Sequence, residues 1–223
     1  MRAVTIAGQG APVAKHIRVV EEWAEQPAPG PGEALIRVLA SALNRMDVWV
    51  GMGIPGIDLT YPRVSGCDSC GVVEAVGAGV DEAWVGRRVV TNAAVVQAER
   101  ARPDDPTNAT LAPNFELIGE HTNGMHRERF VAPVANLAAV GDGVDATDAA
   151  AFGLVTLTAY SMMLTKGRLR PWQTVLVTGI GGGVATAAPG LARWMGCRVI
   201  VTSRPPWKPG RARHLGAGDV LRY

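Results

Sequence analysis

The run Gly179-Ile180-Gly181-Gly182-Gly183-Val184-Ala185 follows the uncharged stretch Thr174-Val175-Leu176-Val177-Thr178 and leads into an alanine-rich segment. Strand, glycine turn and helix in that order is the context in which a helix start receives a pyrophosphate. Gly182 stands where the backbone must approach the phosphates, and Ala185 where the helix must pack closely. Gly179 can supply the tight turn in place of Ile180, and the N–H groups of Gly183 and Val184 belong to the helix start. A plain structural turn is the alternative reading. No Gly-Lys-Ser/Thr follows, which excludes a nucleoside-triphosphate phosphate loop.

The end of the next strand, Arg198-Val199-Ile200-Val201-Thr202, selects the nucleotide. An NAD site places an acid there for the ribose hydroxyls. Here Ser203 and Arg204 follow, then Lys208, and no acid. These three can hold a 2′-phosphate by charge-assisted hydrogen bonds, so NADP(H) is the expected cofactor; a basic surface loop is the alternative. Charge distribution agrees. Residues 193–223 carry seven Lys/Arg against Asp219 alone, within a net charge of only +2. With no nucleic-acid motif in the chain, a phosphate-bearing cofactor is the expected anion and nucleic acid is not.

Other constellations are weaker. Cys67-x-x-Cys70 lacks a second ligand pair in the pattern of a structural zinc site, and it does not open a helix as a redox dithiol would. Two buried thiols are expected there. Asn44-x-x-Asp47 can supply a polar pocket group and a loop-supporting acid, or a turn amide and a turn acid. No hydrolase elbow and no zinc-protease motif occurs.

The elements that must position these residues change character along the chain. Up to about residue 140 short β-branched runs alternate with Gly/Pro turns, as in a barrel or sandwich. Residues 97–114 are polar and contain Pro103, Pro106 and Pro113, which predicts a surface excursion. Asp145 then caps a predicted buried helix that closes at Lys166-Gly167. From there strands and helices alternate, with Thr174-Val175-Leu176-Val177-Thr178 predicted as a fully buried parallel strand. A third strand begins at Asp219. The expected domains are 1–140 and 141–223.

At 48% hydrophobic residues, with 27 glycines and 15 prolines in 223, the chain is neither disordered nor of low complexity. Three cysteines make no disulfide scaffold. The uncharged stretch 149–165 is short of the roughly 20 residues of a membrane span, and the stretch 171–192 is interrupted by the glycine cluster. A cytoplasmic protein without membrane partners is expected.

The order of parts resembles the medium-chain dehydrogenase/reductase superfamily. The resemblance rests on Pro29-Gly30-Pro31-Gly32-Glu33, Asn44-Arg45-Met46-Asp47, Gly66-Cys67-Asp68-Ser69-Cys70-Gly71, Leu157-Thr158-Ala159-Tyr160 and the glycine turn, and covers nearly the whole chain. It implies an α/β plus β fold: a GroES-like β-barrel domain, then a Rossmann domain with a doubly wound parallel sheet. The zinc-dependent members carry Cys where Asn44 stands and His where Cys67 stands, with a third ligand near Leu154, so zinc is not expected. Asn-x-x-Asp resembles the zinc-independent quinone oxidoreductases and enoyl reductases. The implied chemistry is hydride transfer from NADPH to a quinone, enone or related carbonyl substrate. By resemblance Asn44, Asp47 and Thr158 are the candidate catalytic residues, with Thr158 beside the nicotinamide. A non-catalytic binding module and a zinc-type alcohol dehydrogenase are the alternatives.

Three features depart from that pattern. Pro189 falls inside the helix after the glycine turn, where proline costs about 3 kcal/mol. Residues 205–210, Pro-Pro-Trp-Lys-Pro-Gly, should shorten or abolish the following helix. The third is that only the first mononucleotide-binding half precedes Tyr223. A truncated chain of low turnover, partnered by a second copy or a complementing chain, is therefore expected.

Overall fold

The computed structural model describes residues 1–24, 28–96, 115–204 and 208–222. The surface excursion expected at 97–114 and the prolines Pro205 and Pro206 lie outside the described residues. The chain divides into two compact units, Met1–Gly153 and Leu154–Tyr223.

In the first unit the chain runs β1 (Ala3–Ile6), β2 (Ile17–Val20), β3 (Glu33–Ala42), α1 (Arg45–Met52), β4 (Arg63–Val64), β5 (Asp68–Val76), β6 (Arg88–Thr91), β7 (Ala94–Val96), β8 (Phe115–Leu117), β9 (Arg129–Pro133) and β10 (Leu137–Ala139). These strands form antiparallel sheets in the orders β10-β6-β5-β3-β9, β2-β1-β4 and β7-β8. β3 and β5 slip register between Leu35/Ile36 and between Val38/Ala40, irregularities that bend a strand and raise its twist. The larger sheets are linked by the Ala3–Arg127 bridge and by the Val4 N–H donating to the His126 carbonyl at 2.8 Å. Among the described residues the expected GroES-like domain is built from these sheets, which are open rather than closed into one ladder. Strands as short as β4 cannot carry a continuous ladder around a barrel.

A helix, α2 (Ala146–Tyr160), crosses from the first unit into the second and continues as a wider π-type turn, Ser161–Lys166. Asp145 caps it as expected: its Oδ1 accepts the Thr147 N–H at 2.8 Å. One face is buried, with Ala149 and Ala150 against Cys70. Phe152, Leu157 and Tyr160 remain exposed, so the helix is not buried all round as its composition predicts.

The second unit runs β11 (Thr174–Val177), α3 (Gly183–Trp194), β12 (Arg198–Ser203), α4 (Lys208–His214) and β13 (Asp219–Arg222). Its strands pair in parallel in the order β11-β12-β13. Successive right-handed crossovers in that order put both helices on one face of the sheet. Val199 and Val201 pack into the core beneath them, while Leu176 and Leu221 are exposed. The expectation of a strand buried on both faces is therefore corrected: β11 alternates exposed and half-buried residues. α3 continues through Pro189, whose ring is buried. α4 is a short helix, as the Pro/Gly-rich segment before it predicts. Among the described residues no helix is long and apolar enough to cross a membrane.

Candidate functional site

Two constellations carry chemistry, one in each unit. In the second unit the glycine turn joins β11 to α3. Gly179 has φ 71°, a left-handed conformation that glycine adopts without steric cost. Its N–H donates to the Thr202 hydroxyl at 2.9 Å, and the Ile180 N–H donates to the Thr202 carbonyl at 3.0 Å. The end of β12 therefore holds the turn from outside it.

Gly182 caps α3, and a Cβ built there would meet nothing within 4 Å. A Cβ on Gly183 would collide with Val155 Cγ1 of α2. Gly182 borders open space in which a phosphate can reach the backbone, and Gly183 marks close packing of α3 on α2. Val184 and Ala185 are half-buried in a first turn that contains no acid. Free N–H groups and the helix dipole there favour an anion. The arrangement fits the pyrophosphate of a dinucleotide.

At the end of β12 Ser203 is 1% exposed, whereas Arg204 is exposed. Of the three residues expected around a 2′-phosphate, Arg204 is thus presented to solvent and Ser203 is turned into the core. Lys208 opens α4, and its side chain lies outside the described atoms. Thr202 was not among the expected residues. A hydroxyl residue at a strand end is its sole sequence signal, since the partner depends on the β11–β12 register.

In the first unit Asn44 and Asp47 come together at the start of α1. Asp47 Oδ2 accepts the Asn44 N–H at 2.7 Å, and its Oδ1 accepts the Gly66 N–H at 2.9 Å. Asn44 Nδ2 donates to Asp68 Oδ2 at 2.8 Å. His126 lies 2.9 Å from Ser41 Oγ through Nδ1 and 3.7 Å from Asp47 Oδ1 through Nε2. Sequence reasoning did not include Asp68 or His126 in this network. Asp68 had a signal in its place beside Cys67, whereas His126, with His121 a candidate partner of the two cysteines by residue type alone, is brought to Asp47 only by the fold.

Cys67 and Cys70 are buried, unpaired thiols. Burial pushes the Cys67 thiol pKa up strongly, and the nearby Asp68 and Asp47 charges push it further. Among the described residues no three His, Cys, Asp or Glu side chains are grouped to hold a metal ion, and Asn44 offers an amide in place of a thiolate. These residues do not fit a three-ligand catalytic zinc site.

Thr158, in the second unit, is half-buried on α2 and donates its hydroxyl to the Leu154 carbonyl at 2.7 Å. Such back-bonding satisfies the hydroxyl within the helix.

Comparison with known proteins agrees with both units. Residues 30–142 match the alcohol dehydrogenase GroES-like domain. The chain is 31% identical over 204 residues to a zinc-type alcohol dehydrogenase-like protein, YogA, of Leptosphaeria maculans, covering 89% of this chain and 56% of that one. A crystal structure of an NAD-dependent alcohol dehydrogenase superposes with a TM-score of 0.91 at 38% identity, over 100% of this chain and 64% of that chain. A mycobacterial protein, Rv1454c, in complex with NADPH gives 0.75 at 31% identity, over 100% and 58%. The chain therefore spans less than two thirds of the length of each of these proteins.

Proposed function

The chain belongs to the medium-chain dehydrogenase/reductase superfamily, and from that premise we propose that it binds NADP(H) and serves hydride transfer to a quinone, enone or related carbonyl substrate. The observation that carries this reading is the glycine turn ending at an open Gly182, with exposed Arg204 and no acid after β12. When bound, the cofactor supplies the hydride. The chain's part is to seat it. N–H groups at the start of α3 receive the pyrophosphate, and Arg204 pairs with the 2′-phosphate. The NADPH complex of the mycobacterial relative supports the choice of nucleotide, although the relative with the higher TM-score is described as NAD-dependent.

For the substrate class the support is Asn44 in place of a metal-binding cysteine, within a group of side chains that does not fit zinc. In this reading Asn44 orients the substrate oxygen or the carboxamide of the cofactor, Asp47 holds the Asn44 backbone, and Thr158 lines the nicotinamide side. Three unpaired thiols suit the reducing cytoplasm.

Titration of the chain with NADPH and NADH, followed by nicotinamide fluorescence, tests the cofactor. NADPH is expected to bind more tightly, and Arg204→Ala to weaken NADPH by about tenfold while leaving NADH unchanged. Equal affinities, or NADPH binding unaltered by Arg204→Ala, defeat the assignment. NADPH oxidation measured with a panel of quinones, enones and simple ketones tests the substrate class.

A further inference from the structure

In the first unit a cavity of about 400 Å³ is lined by Asp58, Thr60, Pro62, Arg63, His121, Thr122 and Asn123. Arg63 is its buried member, 6% exposed on β4, while Asp58, Thr60 and Asn123 are exposed around it. Among the described residues little compensates the Arg63 charge, Tyr61 and Glu120 acting on it without an ion pair. Its Nε is buried without a hydrogen-bond partner, and Nη2 makes one long contact of 3.4 Å to the Thr122 carbonyl. No carboxylate is ion-paired with it among the described residues, and Glu120 acts on it only at longer range. Burial accordingly lowers its pKa. A buried guanidinium without a counter-charge is costly. An anion from solution is the group that would offset that cost.

The neighbouring side chains are donors as well. Asn123 Oδ1 accepts the Val64 N–H at 2.9 Å, which leaves its NH2 group as a donor. His121 Nδ1 accepts the Leu117 N–H at 3.1 Å, so the neutral ring carries its proton on Nε2. Glu120 Oε1 lies 3.6 Å from that same Nδ1. Asp58 is the one acid among the described lining residues, and its exposure leaves its charge screened by water.

We propose that this cavity binds a small oxyanion, a phosphate or carboxylate group, held by the Arg63 guanidinium with the Asn123 amide and the His121 Nε2–H as further donors. The site is built wholly from the first unit and does not depend on the cofactor reading above.

Calorimetric titration of the chain with inorganic phosphate, and separately with acetate, at ionic strength fixed with NaCl tests the proposal. Saturable binding to wild type is expected, weakened by at least about tenfold in Arg63→Met. Asn123→Asp is the second variant. It keeps the acceptor for the Val64 N–H but supplies an internal counter-charge to Arg63, and it should weaken binding comparably. Tighter binding of phosphate points to a phosphate-bearing ligand, and tighter binding of acetate to a carboxylate. Without added anion, Arg63→Met is expected to melt no lower than wild type, because it removes an uncompensated buried charge. Absence of saturable binding of either anion to wild type, or binding unchanged in both variants, overturns the proposal. So does a lower melting temperature of Arg63→Met with no anion bound to wild type, which would make Arg63 a structural residue.

Discussion

The Thr202 hydroxyl accepts the backbone N–H of Gly179 at 2.9 Å across 23 residues of sequence. This bond ties the penultimate residue of β12, two before Arg204, to the residue that opens the glycine turn. The two parts proposed to hold the cofactor thus share one anchor. Thr202→Val keeps the shape and removes the acceptor, at a cost of about 1 kcal/mol. It should lower the melting temperature slightly and weaken NADPH binding severalfold, whereas Thr202→Ser should retain both. Affinity unchanged in Thr202→Val would show that the turn holds its form unaided.

Gly182 and Gly183 are adjacent but separable. Gly182→Ala adds a methyl into open space, so the melting temperature should stay near that of wild type while NADPH affinity falls at least about tenfold. Gly183→Ala drives a methyl into Val155, and overpacking of this kind costs about 1–3 kcal/mol. There the melting temperature itself should fall. Thermal melts beside cofactor titrations separate the two, and the opposite pattern would mean that the phosphate does not approach at Gly182.

Asn44 donates to a carboxylate that is itself 1% exposed. Asn44→Ala removes that donor from Asp68 and should destabilise the first unit by about 1–3 kcal/mol. Asn44→Asp sets two carboxylates face to face, which raises the pKa of one of them. Its extra destabilisation should be present at neutral pH and fade as the pH falls towards about 4, where a carboxyl can protonate. Melting curves of both variants from pH 4 to 8 check this. Parallel curves would show that Asn44 does not face Asp68.

Cys67 provides a pH dependence of the same sign at higher pH. Burial, then the Asp68 and Asp47 charges, raise its thiol pKa in the folded protein. An unfolded thiol ionises near about 8.5, so above that pH the native state holds one proton more than the unfolded state. Stability contributed by the neutral thiol is full below that pH and declines as pH rises beyond it. Between pH 8 and 10 the wild-type melting temperature should fall more steeply than that of Cys67→Ala. The native Cys67 thiol should also resist iodoacetamide until the chain unfolds. Rapid native alkylation at Cys67 would contradict its burial.

Much of the architecture was legible in the residues alone, because the signals are local. Asp145 caps α2 through an N–H two residues away, Gly/Pro clusters punctuate the short strands, and β-branched runs mark β11 and β12. The glycine turn and the missing acid after β12 are also local facts, and they sufficed to frame the cofactor question.

Tertiary structure decided what depends on register and packing. Thr202 meets Gly179, and Asn44 meets Asp68, because strand pairing and the start of α1 place them together over 23 and 24 residues. No spacing rule announces such pairs. The turn of Ser203 into the core, away from solvent, follows from strand alternation once Val199 and Val201 are known to face the helices. Whether α2 and β11 are covered on one side or two could not be read from their composition, since an apolar run looks the same in either case. Arg63 is the clearest instance. In the sequence it is one arginine among many, and only the fold buries its guanidinium in a cavity where no carboxylate of the described residues is paired to it.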